Sequence, residues 1–346
     1  MSLIQKAKEN HQLSSSEIVK LLSSDQHNEE LFSAAHEVRV KYSGEEVHLK
    51  GLLEFSNLCK QHCFYCGLRA ENRQLKRYKL SPIEVLDFAQ KAISYGYHTI
   101  VMQSGENESY RLEELCEMIS SIRQMGASVT LSLGEKRYEE YEAYKRAGAD
   151  RYLLRIETTD SRLYAKLHPK MSHSNRFQCL RWLQEIGFET GSGSLIGLPH
   201  QSLDSIANDL LFFQESDFDM VGIGPFIPNP ETPLANSKGG DFILARKVMA
   251  LLRLLMPYIN IPATTAMETL HPLGRTLALE SGANVVMPVI TEGEYRALYK
   301  LYPGKVCIND TPAHCRHCIT SKITALGQPI SSSRGDSRRF IIRQQA

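Results

Sequence analysis

The chain has no apolar run long enough to cross a bilayer. Its longest such stretch, around Met249 to Ile261, is broken by Arg253 and Pro257, whereas a spanning helix needs about 20 apolar residues. It also has little net charge, +1 over 346 residues. That balance removes the electrostatic case for nucleic acid or an anionic membrane as a partner. The first residues, Met1-Ser2-Leu3-Ile4-Gln5-Lys6-Ala7, lack the apolar core of a signal peptide, so a cytoplasmic location is expected. There is no flexible linker from residue 47 onward and no Gly-rich phosphate loop after a strand-like segment. What is present is cysteine in an uneven distribution. Six of the eight fall in two tight clusters, Cys59/Cys63/Cys66 and Cys307/Cys315/Cys318, a pattern that argues metal rather than disulfides. Cys116 and Cys179 stand alone in helical patterns and read as small core hydrophobes.

Residues 1–46 read as a helical cover over one end of the domain, with Ser14-x-x-Glu17 as a capping pattern. From residue 47 strands and helices alternate. Apolar strand patterns run over Val47 to Phe55, Tyr97 to Met102, Ser128 to Leu133 and Arg151 to Ile156. Four more run over Glu189 to Ile196, Met220 to Phe226, Asn260 to Thr265 and Asn284 to Pro288, with a helix expected from Thr269 to Ser281. Eight strands in alternation with helices predict an α/β protein with a (β/α)₈ TIM barrel over residues 47–300. A doubly wound open sheet is the alternative, without its usual phosphate loop. Residues 301–346 form a C-terminal extension holding the second cysteine cluster. From Ser331 the tail is polar and basic, and a mobile terminus is expected.

The first cluster, Cys59-Lys60-Gln61-His62-Cys63-Phe64-Tyr65-Cys66, follows the first strand directly. Three soft ligands on one short loop can each grip one corner of an iron–sulfur cube and leave its fourth iron open. A structural zinc site would close with a fourth protein ligand, and His62 adjoins Cys63 too closely to serve. The loop resembles the signature of the radical S-adenosylmethionine (radical SAM) superfamily. The resemblance implies a [4Fe–4S] cluster on Cys59, Cys63 and Cys66 whose open iron chelates SAM. It also implies that Tyr65 lies against the adenine. Ser104-Gly105-Glu106, after the second strand, is similar to the turn that receives the SAM ammonium in that superfamily.

Barrel sites lie at the C-terminal ends of the strands. There the third strand offers Thr130 and Ser132 on one face, for a polar substrate or for ordinary packing. The fourth gives Arg155 and Glu157, two residues apart; buried opposite charges need partners. Arg155 suits a carboxylate and Glu157 a ribose hydroxyl, or the two form a structural ion pair. Arg176, opening a later helix, could reach the SAM carboxylate. The fifth strand, rich in Gly and Ser up to Pro199, leaves space inside the barrel. The loop Gly222 to Pro230 offers apolar side chains to adenine. Thr264 and Thr265 suit an anion. Met287 and Tyr302 could line the cavity or belong to the core. The second cluster, with His314 and His317 nearby, suits an accessory iron–sulfur cluster, [2Fe–2S] or [4Fe–4S], or a Cys₃His zinc site. It is expected near the surface, away from the chemistry.

Along nearly the whole chain these segments are similar to the HydE family of radical SAM maturases of the [FeFe]-hydrogenase active-site cluster. The markers are Gly224-Pro225-Phe226-Ile227-Pro228-Asn229-Pro230-Glu231-Thr232-Pro233-Leu234-Ala235 and Ile261-Pro262-Ala263-Thr264-Thr265-Ala266-Met267. Biotin synthase and methylornithine synthase are relatives. The family pattern has a His between the Arg and Glu of the fourth strand; here Ile156 stands there, pointing away from both by alternation. The resemblance implies reductive cleavage of SAM to methionine and a 5′-deoxyadenosyl radical. It implies a small iron complex carrying CO, cyanide and cysteine as substrate, its carboxylate meeting Arg155, Thr130, Thr264 and Thr265. An electron donor such as ferredoxin or flavodoxin and other hydrogenase maturases are the implied partners. A relative-like enzyme acting on an amino-acid-like substrate, and a non-enzymatic iron–sulfur scaffold or carrier, are the alternatives.

Overall fold

The computed structural model describes residues 1–345; the last tail residue, Ala346, lies outside the described residues. Eight strands carry the fold: β1 (His48–Leu49), β2 (Gly51–Ser56), β3 (Thr99–Ser104), β4 (Ser128–Ser132), β5 (Arg151–Leu153), β6 (Glu189–Ile196), β7 (Met220–Pro225) and β8 (Val285–Val286). β2 to β7 pair in parallel in sequence order, and β1 pairs in parallel with β8. Residues 260–262 bridge the remaining gap, with Asn260 on Met220 and Pro262 on Val285. The ring is therefore closed, and the expected barrel is present. The expected strand over Asn260 to Thr265 is reduced to these two bridges. Pro262 has no N–H to give a ladder, and the chain turns into the helix Thr265–Leu270 at once.

The helix expected from Thr269 to Ser281 is instead two short ones, Thr265–Leu270 and Gly274–Leu279. Pro272 between them cannot continue a helix. Ser81 and Ser14 close capping boxes with Glu84 and Glu17, so those two helices start where their sequences place the starts. The N-terminal helices Leu3–Asn10, Ser15–Leu22 and Asn28–Ser43 pack on the flank of the barrel, against Leu203–Glu215 and Phe242–Leu255. No helix among the described residues is long and apolar enough to cross a membrane.

The tail differs from the expected mobile terminus. Ser331 donates its N–H to Val47 O at 3.0 Å. The Lys50 ammonium and the Asn260 amide both donate to Gly335 O. Buried Arg151 pairs with Glu189 at 2.5 Å and with Asp336. The helix Arg338–Gln345 follows, with Arg339 on Asp217 and Arg343 on Asp219. The tail thus lies under the N-terminal ends of the strands, and its basic residues meet carboxylates on the barrel. The other end of the barrel is left for the site.

Candidate active site

At the C-terminal ends of the strands lies a cavity of about 370 Å³. The cysteine loop forms one side of its mouth and is held mainly through its backbone. Phe64 N–H donates to Leu167 O, Gly67 N–H to Leu301 O and Lys60 N–H to Glu106 O, all at 2.8–2.9 Å. Arg77 adds bonds to the carbonyls of Asn57, Leu68 and Arg69. Cys63 and Cys66 line the cavity, and Cys59 does not. Burial pushes all three thiols up, Cys63 to about 12. Such thiols stay protonated until a metal displaces the proton. Their sulfurs do not all fall within 4.8 Å of one another. Zn–S bonds of about 2.3 Å would bring sulfurs to about 3.8 Å. Three cysteines on one short loop can each hold one corner of an iron–sulfur cube, so the residues fit a [4Fe–4S] group.

The turn Ser104-Gly105-Glu106 is placed behind the loop and does not line the cavity. Its groups are engaged with the loop: the Glu106 carboxylate accepts from Gln61 Nε2 at 2.5 Å and from Glu135 N–H at 2.9 Å. The Ser104 hydroxyl and the Asn107 amide both donate to Gly105 O. Two glycines make this packing possible. A Cβ on Gly105 would lie 2.3 Å from Leu58 O, and one on Gly134, at φ +77°, would lie 2.3 Å from Glu106 Oε2. The turn buttresses the cysteines in this structure.

Tyr65 is fixed by a residue that sequence reasoning missed. Its O–H lies 2.7 Å from His168 Nε2, and His168 Nδ1 lies 3.1 Å from Tyr164 O. A carbonyl can only accept, so Nδ1 carries the proton and Nε2 accepts from Tyr65. Burial, with Arg176 nearby, depresses His168 to about 3, which keeps the ring neutral. Nothing in the local sequence marks His168; the contact joins residues 103 apart.

Across the mouth, Arg155, Glu157 and Arg176 all line the cavity. Arg155 Nη2 donates to Ser194 O at 2.8 Å and lies 3.1 Å from Glu157 Oε2, while its Nε is buried without a partner. Glu157 has φ +65°, a region that costs a non-glycine residue roughly 1–3 kcal/mol. Burial raises its carboxyl against the pull of Arg155 and Arg176. Arg176 is committed to Glu135 at 2.6 Å and to Arg155 O. Thr264, Thr265, Met287 and Tyr302 line the far wall. Thr265 Oγ1 accepts from Arg275 at 2.9 Å, leaving its own proton to donate. Thr130 is not brought into the wall: it is fully buried, and Ser132, two residues on along the same face, lines the cavity instead. Ile156 is also fully buried and does not line the cavity, although β5 ends at Leu153 and strand alternation does not extend to it.

Residues 53–213 match the radical SAM superfamily. Over 312 residues, 90% of each chain, the sequence is 51% identical to the [FeFe] hydrogenase maturase subunit HydE of Thermotoga maritima. The chain belongs to the HydE family of radical SAM enzymes. It is also 30% identical to 3-methylornithine synthase of Methanosarcina acetivorans, over 82% of this chain and 81% of that one. The crystal structure of methylornithine synthase (PylB) superimposes on all of both chains with a TM-score of 0.85 at 24% identity, which shows the same barrel. Membership of the superfamily implies a [4Fe–4S] cluster and SAM as cofactors.

The second cysteine site lies against this radical SAM cavity and not apart from it. Cys307, Cys315 and Cys318 line a pocket of about 20 Å³ that shares Thr265 and Lys305 with the cavity wall. Cys307, Asp310 and Cys315 bring their ligand atoms within 4.8 Å of one another. The fourth candidate beside the thiols is thus Asp310. His314 is exposed, 3.9 Å from Asp310, and His317 is exposed one turn along. Arg296 donates to Cys315 Sγ at 2.8 Å. The Cys307 thiol and this guanidinium hold Cys315 below the usual thiol range, and Cys307 is raised in turn.

Proposed function

We propose that this chain is a maturase of the [FeFe]-hydrogenase active-site cluster, acting on a small iron carbonyl–cyanide precursor that carries cysteine. The observation that carries the reading is one cavity bordered by an open three-cysteine loop on one side and by Arg155, Thr264 and Thr265 on the other. The likeness to HydE supports the pathway. When bound, the cluster supplies the electron that splits SAM into methionine and a 5′-deoxyadenosyl radical.

The chain's own residues orient and enclose. Tyr65, locked by His168, offers a fixed ring face to adenine, with Phe226 and Ile227 completing the slot. Glu157 is placed for the ribose hydroxyls and Arg176 for the SAM carboxylate. The Ser104–Glu106 turn holds the loop on which the SAM amino group rests. The free Nε edge of Arg155 and the Thr265 proton grip the substrate carboxylate, with Thr264 beside them. Thr130 supports this floor from below. Met287 and Tyr302 flank the reacting group, and burial keeps the Tyr302 phenol protonated. The apolar lining excludes water from a reactive intermediate. The second site holds an accessory iron–sulfur cluster on Cys307, Cys315 and Cys318. Ferredoxin or flavodoxin serves as electron donor, other maturases hand the precursor over, and the setting is cytoplasmic.

A free amino acid is the second reading. The same Arg155 and Thr265 would hold its carboxylate, and the likeness to 3-methylornithine synthase favours it. Anaerobic protein with reductant and SAM should form 5′-deoxyadenosine, and the gene should restore hydrogenase activity to a host lacking its own maturase. An intact cluster with no 5′-deoxyadenosine would defeat the enzyme reading. SAM cleavage without complementation would transfer support to the amino-acid substrate.

A further inference from the structure

A buried charged pair, Glu54 and Lys305, stands in the cavity wall. Along β2, Leu52 and Glu54 face the cavity while Leu53 and Phe55 are fully buried behind the strand, as alternation requires. Glu54 is 1% exposed and pairs through Oε1 with the Lys305 ammonium, itself 7% exposed. Both side chains line the cavity. The backbone of Glu54 is pinned: its N–H donates to Thr291 Oγ1 at 2.8 Å, and the Thr291 hydroxyl donates to Glu54 O at 3.1 Å.

The pair is incomplete. Glu54 Oε2 is buried with no partner. Among the described residues Lys305 Nζ has Glu54 as its one hydrogen-bond acceptor, although an ammonium carries three N–H groups. A buried carboxylate oxygen left unbonded costs roughly 1–3 kcal/mol or more. A wall of a ligand cavity is where such a cost is recovered on binding. Thr265, already placed on the substrate carboxylate, borders the same second pocket as Lys305. Glu54, Lys305, Thr265 and Arg155 all line the one cavity, so an amine and a carboxylate of one ligand can be held in it together.

We propose that Glu54 binds the substrate amine: an N–H of the amino nitrogen donates to Glu54 Oε2 while the carboxylate is held at Thr265 and Arg155. Lys305 is a positioning residue that orients the carboxylate and offsets its charge before substrate arrives. This assignment rests on the reading of the substrate as amino-acid-like or cysteine-bearing. It adds the contact by which the cavity distinguishes an amine-bearing ligand from its deaminated counterpart.

The test uses the anaerobic holoprotein with SAM bound, and titrates L-cysteine, 3-mercaptopropionate (no amine) and cysteamine (no carboxylate) by calorimetry. Wild type should prefer L-cysteine over 3-mercaptopropionate by about tenfold, the size of one charge-assisted hydrogen bond. Glu54→Ala should reduce that preference to within about twofold, and Glu54→Gln, which keeps an acceptor but not the charge, should lower it to a few-fold and gives the readout where Glu54→Ala does not fold. Lys305→Met should lose the preference and Lys305→Arg should retain it, a rescue that a merely structural role would not require. Cysteamine should be insensitive to Arg155→Ala and sensitive to Glu54→Ala. A Glu54 variant that keeps the full preference, or a wild type with none, overturns the proposal. Absence of 5′-deoxyadenosine from reduced wild type would instead sink the broader reading, whatever the titrations show.

Discussion

The two cysteine sites use the same residue type and differ in almost everything around it. The first is a loop at the barrel mouth, held by backbone bonds, with its thiols raised by burial. It faces a cavity of about 370 Å³. The second spans a loop and the helix Pro312–Ala325. It draws two thiols and a carboxylate close together and faces a pocket of about 20 Å³. Arg275, Arg296, Lys305 and Lys322 close that pocket. Three thiols in a chain therefore say metal, but the space and charge beside them say what the metal does. The first site has room for a co-substrate on its open side. The second has none, and its cations suit a negatively charged cluster held against the wall of the first.

The largest effect that could break this contrast comes from the ligands. Cys63→Ser should reduce 5′-deoxyadenosine formation to background, whereas Cys318→Ser should lower the bound iron but leave SAM cleavage within a few-fold. Equal losses from both variants would erase the distinction. Next is Gly134→Ala. Its Cβ would strike Glu106, the carboxylate that steadies the first loop, at a positive φ. It should cost roughly 1–3 kcal/mol in thermal or chemical unfolding and lower cluster occupancy at the first site alone. Occupancy lost equally at both sites would show that the two loops are not separately supported.

Thiol chemistry sharpens the comparison further. In metal-free protein the thiolate is the reactive form. The Cys307 thiol and the Arg296 guanidinium favour the Cys315 thiolate, while burial keeps Cys63 protonated. Iodoacetamide at pH 7 to 8 should therefore label the second site before the first, read by mass spectrometry. Lowering the pH should narrow the difference as the Cys315 thiolate takes up its proton. The smallest effect is that of Tyr65→Phe. It deletes one hydrogen bond to His168, worth about 1 kcal/mol, and should raise the KM for SAM about fivefold with the cluster intact.

The sequence made the barrel legible because each strand carries its own apolar pattern, and the mouth residues follow from it. Arg155, Glu157, Thr264 and Thr265 are where strand ends place them. Less legible features depend on partners remote in the chain. Glu54 reads as one polar residue in an apolar strand until Lys305 is brought to it. His168 has no motif, and Asp310 is outranked in sequence by two histidines that the helix turns to solvent. The tail misleads for the same reason. Its arginines and serines are solvated by composition, yet Arg151, Asp217 and Asp219 supply partners under the barrel. Thr130 and Ser132 show the finer limit: alternation gives their shared face, but only the closed barrel decides which of the two layers reaches the cavity.

The most direct test of the central claim is the electron paramagnetic resonance spectrum of a reduced variant in which Cys307, Cys315 and Cys318 are all changed to Ser. With the second site removed, a single [4Fe–4S]⁺ signal should remain, and adding SAM should change its shape. Cys63→Ser in that background should abolish the signal. A signal that SAM leaves unchanged, or a SAM response seen only while the second cysteines are present, would contradict the assignment of the open cluster to Cys59, Cys63 and Cys66.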